Sequence, residues 1–208
     1  MFTDFHNHFL PEIDDGAETL AVSARMCEYS FAQGIRRIVA TPHFHAGYTT
    51  INDFLRKRVT AFTELKKLYP SAFSQLHIQL GSEVALTRGL CSLPDIGKLA
   101  IARSKYLLIE LPIYSYDKWV DVELNVLINR HKLVPIFANI ERYQIAYQPD
   151  VFDRILHTSE ALFQINTRSL LNKSTCDLVK SLLKHNRRVL LGTNAHNMNS
   201  RAPEWSFA

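Results

Sequence analysis

The stretch KYLLIELP, Lys105 to Pro112, is an apolar run that closes on a carboxylate and a proline. It is apolar at odd and even positions alike. A strand of that pattern is buried on both faces, as in a parallel sheet, where helices cover each side. Working outward, similar short runs rich in Ile, Leu and Val recur at Phe2–His6, Arg36–Thr41, His77–Val84, Leu133–Ala138, Ala161–Asn166 and Arg188–Thr193. Helical periodicity fills the gaps, over Glu18–Gln33, Asn52–Tyr69, Lys118–His131, Asp150–His157 and Thr175–Asn186. In the first of these Leu20, Ala24, Cys27 and Phe31 share a face. Asp15 or Gly16 is placed to cap its start, and Gly34 suits the left-handed position at its end. Seven strand–helix units predict an α/β fold, a distorted seven-stranded β/α barrel forming a single domain over residues 1–208; a doubly wound open sheet is the alternative.

The last strand is followed only by a short tail, Asn194 to Ala208, containing Pro203. The barrel therefore reads as shortened at its C-terminal end. The outer face of Arg188–Thr193 is expected to be bare or covered by a second copy in a homo-oligomer, unless Trp205 and Phe207 fold back over it.

Composition excludes several classes. With 208 residues, 47% hydrophobic and 21% charged, the chain can bury a sizeable core. No apolar run reaches the length of a membrane span, and the start MFTDFHNHF lacks the pattern of a secretory signal. Three cysteines do not make a disulfide framework, so a reducing cytoplasm is expected. The net charge of +4 is dispersed in small groups, which argues against a nucleic-acid partner. The anomaly is nine histidines in a chain with seven glycines.

Those histidines fall into two sets. His131, His157 and His185 sit near helix C-termini, where an imidazole suits the dipole, and read as structural. His77 begins a strand and reads likewise. The others stand at strand ends. His6 and His8, two apart, lie on one face of the first strand. Asp14 and Asp15 follow. His43 and His45 come after the second strand, His45 reading first as a loop residue. Glu83 ends the third strand, Glu110 the fourth, Asn139 to Arg142 the fifth, and Asn194 to His196 the seventh. In a barrel these side chains surround one mouth. His nitrogens with carboxylate oxygens and no thiolate are the donor set of Mn, Fe or Zn. Glu110 within an apolar strand strengthens this, since an unpaired buried carboxylate is costly. Cysteine-based phosphoryl transfer fails on spacing: the residue six positions after Cys27, Cys91 and Cys176 is Gln33, Gly97 and Leu182, never Arg. No nucleophile elbow, P-loop or dinucleotide fingerprint is present.

Taken in order, His6-x-His8, Ile13-Asp14-Asp15-Gly16, Ala40-Thr41-Pro42-His43, Gly81-Ser82-Glu83, Leu108-Ile109-Glu110-Leu111-Pro112, Glu141-Arg142-Tyr143 and Asn194-Ala195-His196-Asn197 resemble the polymerase-and-histidinol-phosphatase (PHP) family. Within it they are most similar to the bacterial capsule-associated, metal-dependent protein-tyrosine phosphatases, over nearly the whole chain. The resemblance implies up to three divalent ions, most often manganese. One would use His6, His8, Glu83 and position 194. A second would share Glu83 and add Glu110 and position 139. A third would use Asp15, His43 and His196. Arg142 and Arg201 would hold the phosphate, and metal-activated hydroxide would attack phosphorus without a phosphoenzyme. The implied substrate is phosphotyrosine on a protein, expected to be a tyrosine kinase of capsule or exopolysaccharide export.

Two positions depart from the family pattern. Asn139 stands where the family has His, and Asn194 where it has Asp. A neutral amide is a weaker ligand, and the second change also removes a negative charge facing cations. The expectation is a phosphatase of reduced activity. The alternatives are a weakly metal-binding relative that docks the kinase or the assembly complex, and a hydrolase of a small phosphomonoester.

Overall fold

The computed structural model describes residues 2–114 and 116–206. The chain opens with β1 (Phe2–Asn7), α1 (Leu20–Ala32), β2 (Ile35–Ala40) and β3 (His43–Phe44). Next come α2 (Ile51–Leu68), α3 (Pro70–Phe73), β4 (His77–Leu80) and β5 (Glu83–Ala85). Short 3-10 turns then lead to β6 (Tyr106–Glu110), α4 (Lys118–Asn129) and β7 (Val134–Phe137). The chain continues through α5 (Ile140–Ala146), α6 (Pro149–Leu156), β8 (Leu162–Asn166), α7 (Lys173–Lys184) and β9 (Arg188–Gly192).

Among the described residues every strand pairing is parallel, in the orders β1-β2-β4 and β3-β5-β6-β7-β8-β9. The expected strand His77–Val84 is broken in two, and the expected strand Arg36–Thr41 is followed, past a break, by the short extra strand β3. β2 and β3 are separated by Thr41-Pro42, where proline has no N–H to give the ladder. β4 and β5 are separated by Gly81-Ser82. Hydrogen bonds from Gly81 N–H to the Ala40 carbonyl (2.8 Å) and Glu83 N–H to the Pro42 carbonyl (3.1 Å) carry pairing across the break. The buried Arg58 guanidinium satisfies the Gly81 carbonyl and Ser82 Oγ there. With these halves joined, the strand count and order are those expected of the seven-unit fold.

The chain beyond β9 lies beside β1. Asn194 N–H donates to the His6 carbonyl (2.8 Å) and His8 N–H to the Ala195 carbonyl (2.9 Å). The approach is close enough that a Cβ at Gly192 would lie 2.6 Å from His6 Cβ, so only glycine fits. Phe5, Val39, Leu108, Ile136 and Leu190 pack together in a small apolar cluster contributed by strands of both sheets. Two larger apolar clusters lie between strands and helices.

Local differences from expectation have physical causes. Thr19, not Asp15 or Gly16, caps α1, its Oγ1 accepting from Val22 N–H. Asp14 and Asp15 are turned instead toward histidines. Gly34 takes the predicted left-handed conformation, at φ 90°. The fifth strand stops at Phe137, and Ile140–Glu141–Arg142 begins a helix, because Asn139 turns the chain with φ 49°. Around β9 the outer face is not bare. Val189 and Leu191 are half-buried against the largest apolar cluster, and Leu190, also half-buried, packs on the cluster of Val39, Leu108 and Ile136. The tail folds back: Trp205 is buried, its ring 5.9 Å from Phe2, and its backbone N–H donates to Gln33 Oε1 at 2.7 Å. Glu204 receives Thr167 Oγ1–H on its carbonyl and Tyr29 O–H on its carboxylate. Phe207 lies outside the described residues.

Candidate metal centre

The strand ends deliver their polar side chains to one place. β1 supplies His6 and, just beyond it, His8. His43 opens β3, Glu83 opens β5, and Glu110 closes β6. Asn194 and His196 follow β9. His6, His8 and Glu83 are fully buried, as are Asn139 and His196, while Asp15 is exposed.

Distances describe three overlapping groups of donor atoms. In the first, His8, Asp15, His43 and His196 converge; Asp15 Oδ1 lies 3.5 Å from His43 Nε2 and 3.4 Å from His196 Nε2. In the second, Glu83 Oε2 lies 2.9 Å from His6 Nε2 and 3.1 Å from His8 Nε2. In the third, His43, Glu83 and Glu110 meet, with His43 Nδ1 3.3 Å from Glu83 Oε2.

Imidazole orientation is set by neighbours. His8 Nδ1 is 2.7 Å from Asp14 Oδ2, a group that only accepts, so Nδ1 carries the hydrogen. Gln164 Oε1 accepts from Asn139 N–H at 2.8 Å, which fixes its amide; the same oxygen therefore accepts from His6 Nδ1–H, also at 2.8 Å. His196 Nδ1–H donates to the Asn194 carbonyl at 3.0 Å. Each ring thus turns its Nε2 toward the cluster. His6 Nε2 and His8 Nε2 lie 3.0 Å apart, and His196 Nε2 and His43 Nδ1 have no hydrogen-bond partner among the described residues. Lone pairs converging on one another and held from behind are what a cation requires, so the residues fit a metal ion.

The charges agree with this. Burial lowers His43 to about 4 and His196 to about 2, keeping both rings neutral and ligand-ready. Burial acts the same way on His8, but hydrogen bonds to Asp14 and Glu83 outweigh it and raise that ring to about 9. Burial also pushes Glu83 up, against which His6 and His8 hold it well below the usual carboxylate range. Glu110 is raised by burial and then by the Glu83 charge. A divalent ion would displace the proton that His8 otherwise holds.

Both expected arginines stand at the edge of the cluster. Arg142 Nη1 is 3.6 Å from Glu110 Oε1, and Arg201 Nη1 is 3.3 Å from Asp15 Oδ2. Together with Asn194 and Arg168 they line a cavity of about 230 Å³. A larger cavity of about 1100 Å³ opens beside Asp15, His43 and Glu110 and runs past His45, Tyr48 and Lys57. His45 lines that cavity and joins none of the donor groups. His157 Nδ1 and His185 Nδ1 each bond the carbonyl four residues back, and His131 Nε2 bonds the Cys91 carbonyl, as structural histidines do.

Sequence reasoning did not find Gln164, Arg168 or the role of Asp14 behind His8. A lone amide inside the apolar run Leu162–Ile165 was the available signal for Gln164.

Imidazoles and carboxylates converging at the strand ends of a parallel sheet define an α/β protein with a candidate metal centre. More narrowly, the chain belongs to the capsular polysaccharide synthesis CpsB/CapC family, which it matches over residues 2–208. It is 28% identical to the tyrosine-protein phosphatase CpsB of Streptococcus agalactiae, over 96% of this chain and 85% of that one. It is 29% identical to the tyrosine-protein phosphatase YwqE of Bacillus subtilis, over 95% of this chain and 78% of the relative. Among solved structures, one from the pair YwqE of Bacillus subtilis and CpsB of Streptococcus pneumoniae, unique metal-dependent tyrosine phosphatases, superposes with a TM-score of 0.80. It shares 27% identity and covers 100% of this chain and 84% of its own. The phosphotriesterase homology protein of Escherichia coli, 9% identical with a TM-score of 0.52, shares the fold alone.

Proposed function

We propose that the chain is a metal-dependent protein-tyrosine phosphatase of capsule or exopolysaccharide synthesis, acting as one domain. The observation that carries the reading is the set of imidazole Nε2 atoms turned, each by its own backing group, onto Glu83 and Asp15 between two arginines. Family membership and the named activity of the relatives support it.

His6, His8, Asp15, His43, Glu83, Glu110 and His196 would hold the metal, with Asn139 and Asn194 as weakened ligand positions. Manganese suits this nitrogen and oxygen set, with Fe²⁺ and Zn²⁺ next. Bound cations supply Lewis acidity toward a phosphoryl oxygen and activate water near neutral pH. Arg142 and Arg201 donate to the phosphate oxygens, and each now rests against a carboxylate that substrate would replace as acceptor. Asp14 and Gln164 keep their rings aligned. The larger cavity has room for the phenyl ring and flanking residues of a phosphotyrosine segment. The expected substrate is a tyrosine kinase of polysaccharide export. Three free cysteines suit a reducing cytoplasm, and no helix of the described residues is long and apolar enough to cross a membrane.

The test is hydrolysis by the Mn²⁺-loaded chain of a phosphotyrosine peptide, a phosphoserine peptide and a small alkyl phosphomonoester. Preference for phosphotyrosine that is lost in chelator is expected. Turnover of the alkyl ester alone would favour the small-substrate reading, and no turnover with metal bound would favour the docking one.

A further inference from the structure

Asn139 and Asn194 do more than weaken two ligand positions. They complete a hydrogen-bonded relay through the centre. Arg201 Nη2 donates to Asn194 Oδ1 at 3.3 Å, Asn194 Nδ2 donates to Asn139 Oδ1 at 3.0 Å, and Asn139 Nδ2 donates to Glu83 Oε1 at 3.4 Å. The ends fix the direction. A guanidinium can only donate and a carboxylate can only accept, so both amides are oriented without ambiguity. Each amide oxygen thereby accepts a hydrogen bond from within the relay, and the NH₂ of Asn139 faces Glu83 where a ligand would present a lone pair.

The donor count then limits the ions. His8 belongs to both the first and the second group; assigned to the second, where its Nε2 lies 3.1 Å from Glu83 Oε2, it leaves Asp15, His43 and His196 for one ion and gives His6, His8 and Glu83 for another. The third group borrows His43 from the first and Glu83 from the second. A neutral imidazole has one ring lone pair, so His43 cannot serve two ions at once. Glu83 Oε2 faces the imidazoles and Oε1 takes the amide. Glu110 is the only ligand the third group does not share, and Arg142 already lies 3.6 Å from it.

We propose that this chain binds two divalent ions rather than three, with the Arg201–Asn194–Asn139–Glu83 relay and the Arg142 guanidinium standing in the third position. The proposal rests on the metal-centre reading above and deepens it. The Arg142 charge beside Glu110 and the Asn139 amide donor on Glu83 would then offset these carboxylates in place of a cation.

The experiment is metal counting. The full chain, stripped with chelator and desalted, is dialysed to equilibrium against MnCl₂, and bound manganese is measured by plasma mass spectrometry beside calorimetric titration. About two ions per chain are expected, and about three once Asn139→His and Asn194→Asp are combined. Circular dichroism checks folding of the double variant, and Asn139→His alone is read the same way should the pair not fold. Three ions on the unmodified chain, or only one, would overturn the proposal, as would a folded variant that stays at two. An unmodified chain that binds no manganese, iron or zinc would instead remove the metal reading itself.

Discussion

Gln164→Leu separates the orientation of a ligand from the presence of a ligand. Gln164 is fully buried on β8, and its Oε1 accepts from both His6 Nδ1–H and Asn139 N–H at 2.8 Å. Leucine keeps the volume and removes the acceptor. Two buried donors are then unpaired, at ~1–3 kcal/mol each, or about 2–6 kcal/mol together. That is a large share of the roughly 5–15 kcal/mol that holds a domain folded. At ~2–4 °C per kcal/mol for a chain of this size, the midpoint of a thermal melt should fall by at least about 4 °C. His6 also loses the contact that keeps its hydrogen on Nδ1 and its lone pair on Nε2. Disturbing such backing groups typically weakens metal binding by ~10–100-fold, or about 1.4–2.7 kcal/mol. The assay is calorimetric titration with Mn²⁺ well below the melt, so that only folded chain is counted. Gln164→Glu is the control: it keeps an acceptor for both donors and should restore binding to within a few-fold of the native chain. A purely structural role would lower the melt in Gln164→Leu and leave the manganese affinity of the folded chain unchanged. That result would refute the argument that Gln164 orients His6.

Four further outcomes are expected. Excess chelator should abolish phosphatase activity and a thiol alkylator should not, because Cys27 and Cys91 are buried and burial raises both thiols, Cys91 to about 12; full activity in chelator would exclude the metal mechanism. Arg142→Ala and Arg201→Ala should each lower kcat by ~10²–10³ in single-turnover assays while the chain still binds manganese, the usual effect of removing one charge-stabilising donor; an unchanged kcat would take either residue out of phosphate binding. Burial would raise Asp14, but its hydrogen bond and charge interaction with His8 hold it at about 2, below its ordinary 3.8. Its contribution to stability is therefore present above about 4 and lost as pH falls toward about 2; acid melts of metal-free Asp14→Asn should lack that loss, and an identical acid limb would contradict it. Trp205→Ala should cost ~3–5 kcal/mol by thermal melt if the tail covers the core at Phe2, and an unshifted midpoint would show that it does not.

The fold was legible where one physical signal dominated. Runs such as Tyr106–Glu110 and Arg188–Gly192 are apolar on both faces, and their strand bounds fall within a residue or so of expectation. It was not legible where a single residue overrode the run. His77–Val84 reads as one strand, yet Gly81-Ser82 interrupts it, and the buried Arg58 that satisfies the break comes from α2, more than twenty positions away. Leu133–Ala138 reads as a strand ending in the polar residues Asn139 to Arg142, yet the left-handed turn at Asn139 converts that end into a helix. The candidate site follows the same division. Residues at strand ends could be gathered because the periodicity of a barrel places them at one mouth. Their backing groups could not, since Gln164 meets His6, and Asn194 meets Asn139, only after strands distant in sequence close on one another.

That closure explains why the centre depends on one seam. His6 and His8 stand on one side of it and Asn194 and His196 on the other, so the two sides must stay in register for the imidazoles to converge. Asp4 provides the strap. It is fully buried on β1, and its carboxylate takes Thr193 N–H at 2.9 Å, Thr193 Oγ1–H at 2.6 Å and Asn7 Nδ2–H at 2.9 Å. Gly192 permits the approach, with His6 Cβ where its own side chain would be. Burial raises the Asp4 carboxyl above its usual value, a penalty tolerated because every contact crosses or reinforces the seam. A slip of one residue along β9 would turn its alternate side chains to the opposite face and carry His196 away from His8 and Asp15. Closure of the sheet and assembly of the centre are therefore one event, and residues such as Asp4 and Gly192 that touch no candidate ligand atom still determine whether the ligands meet.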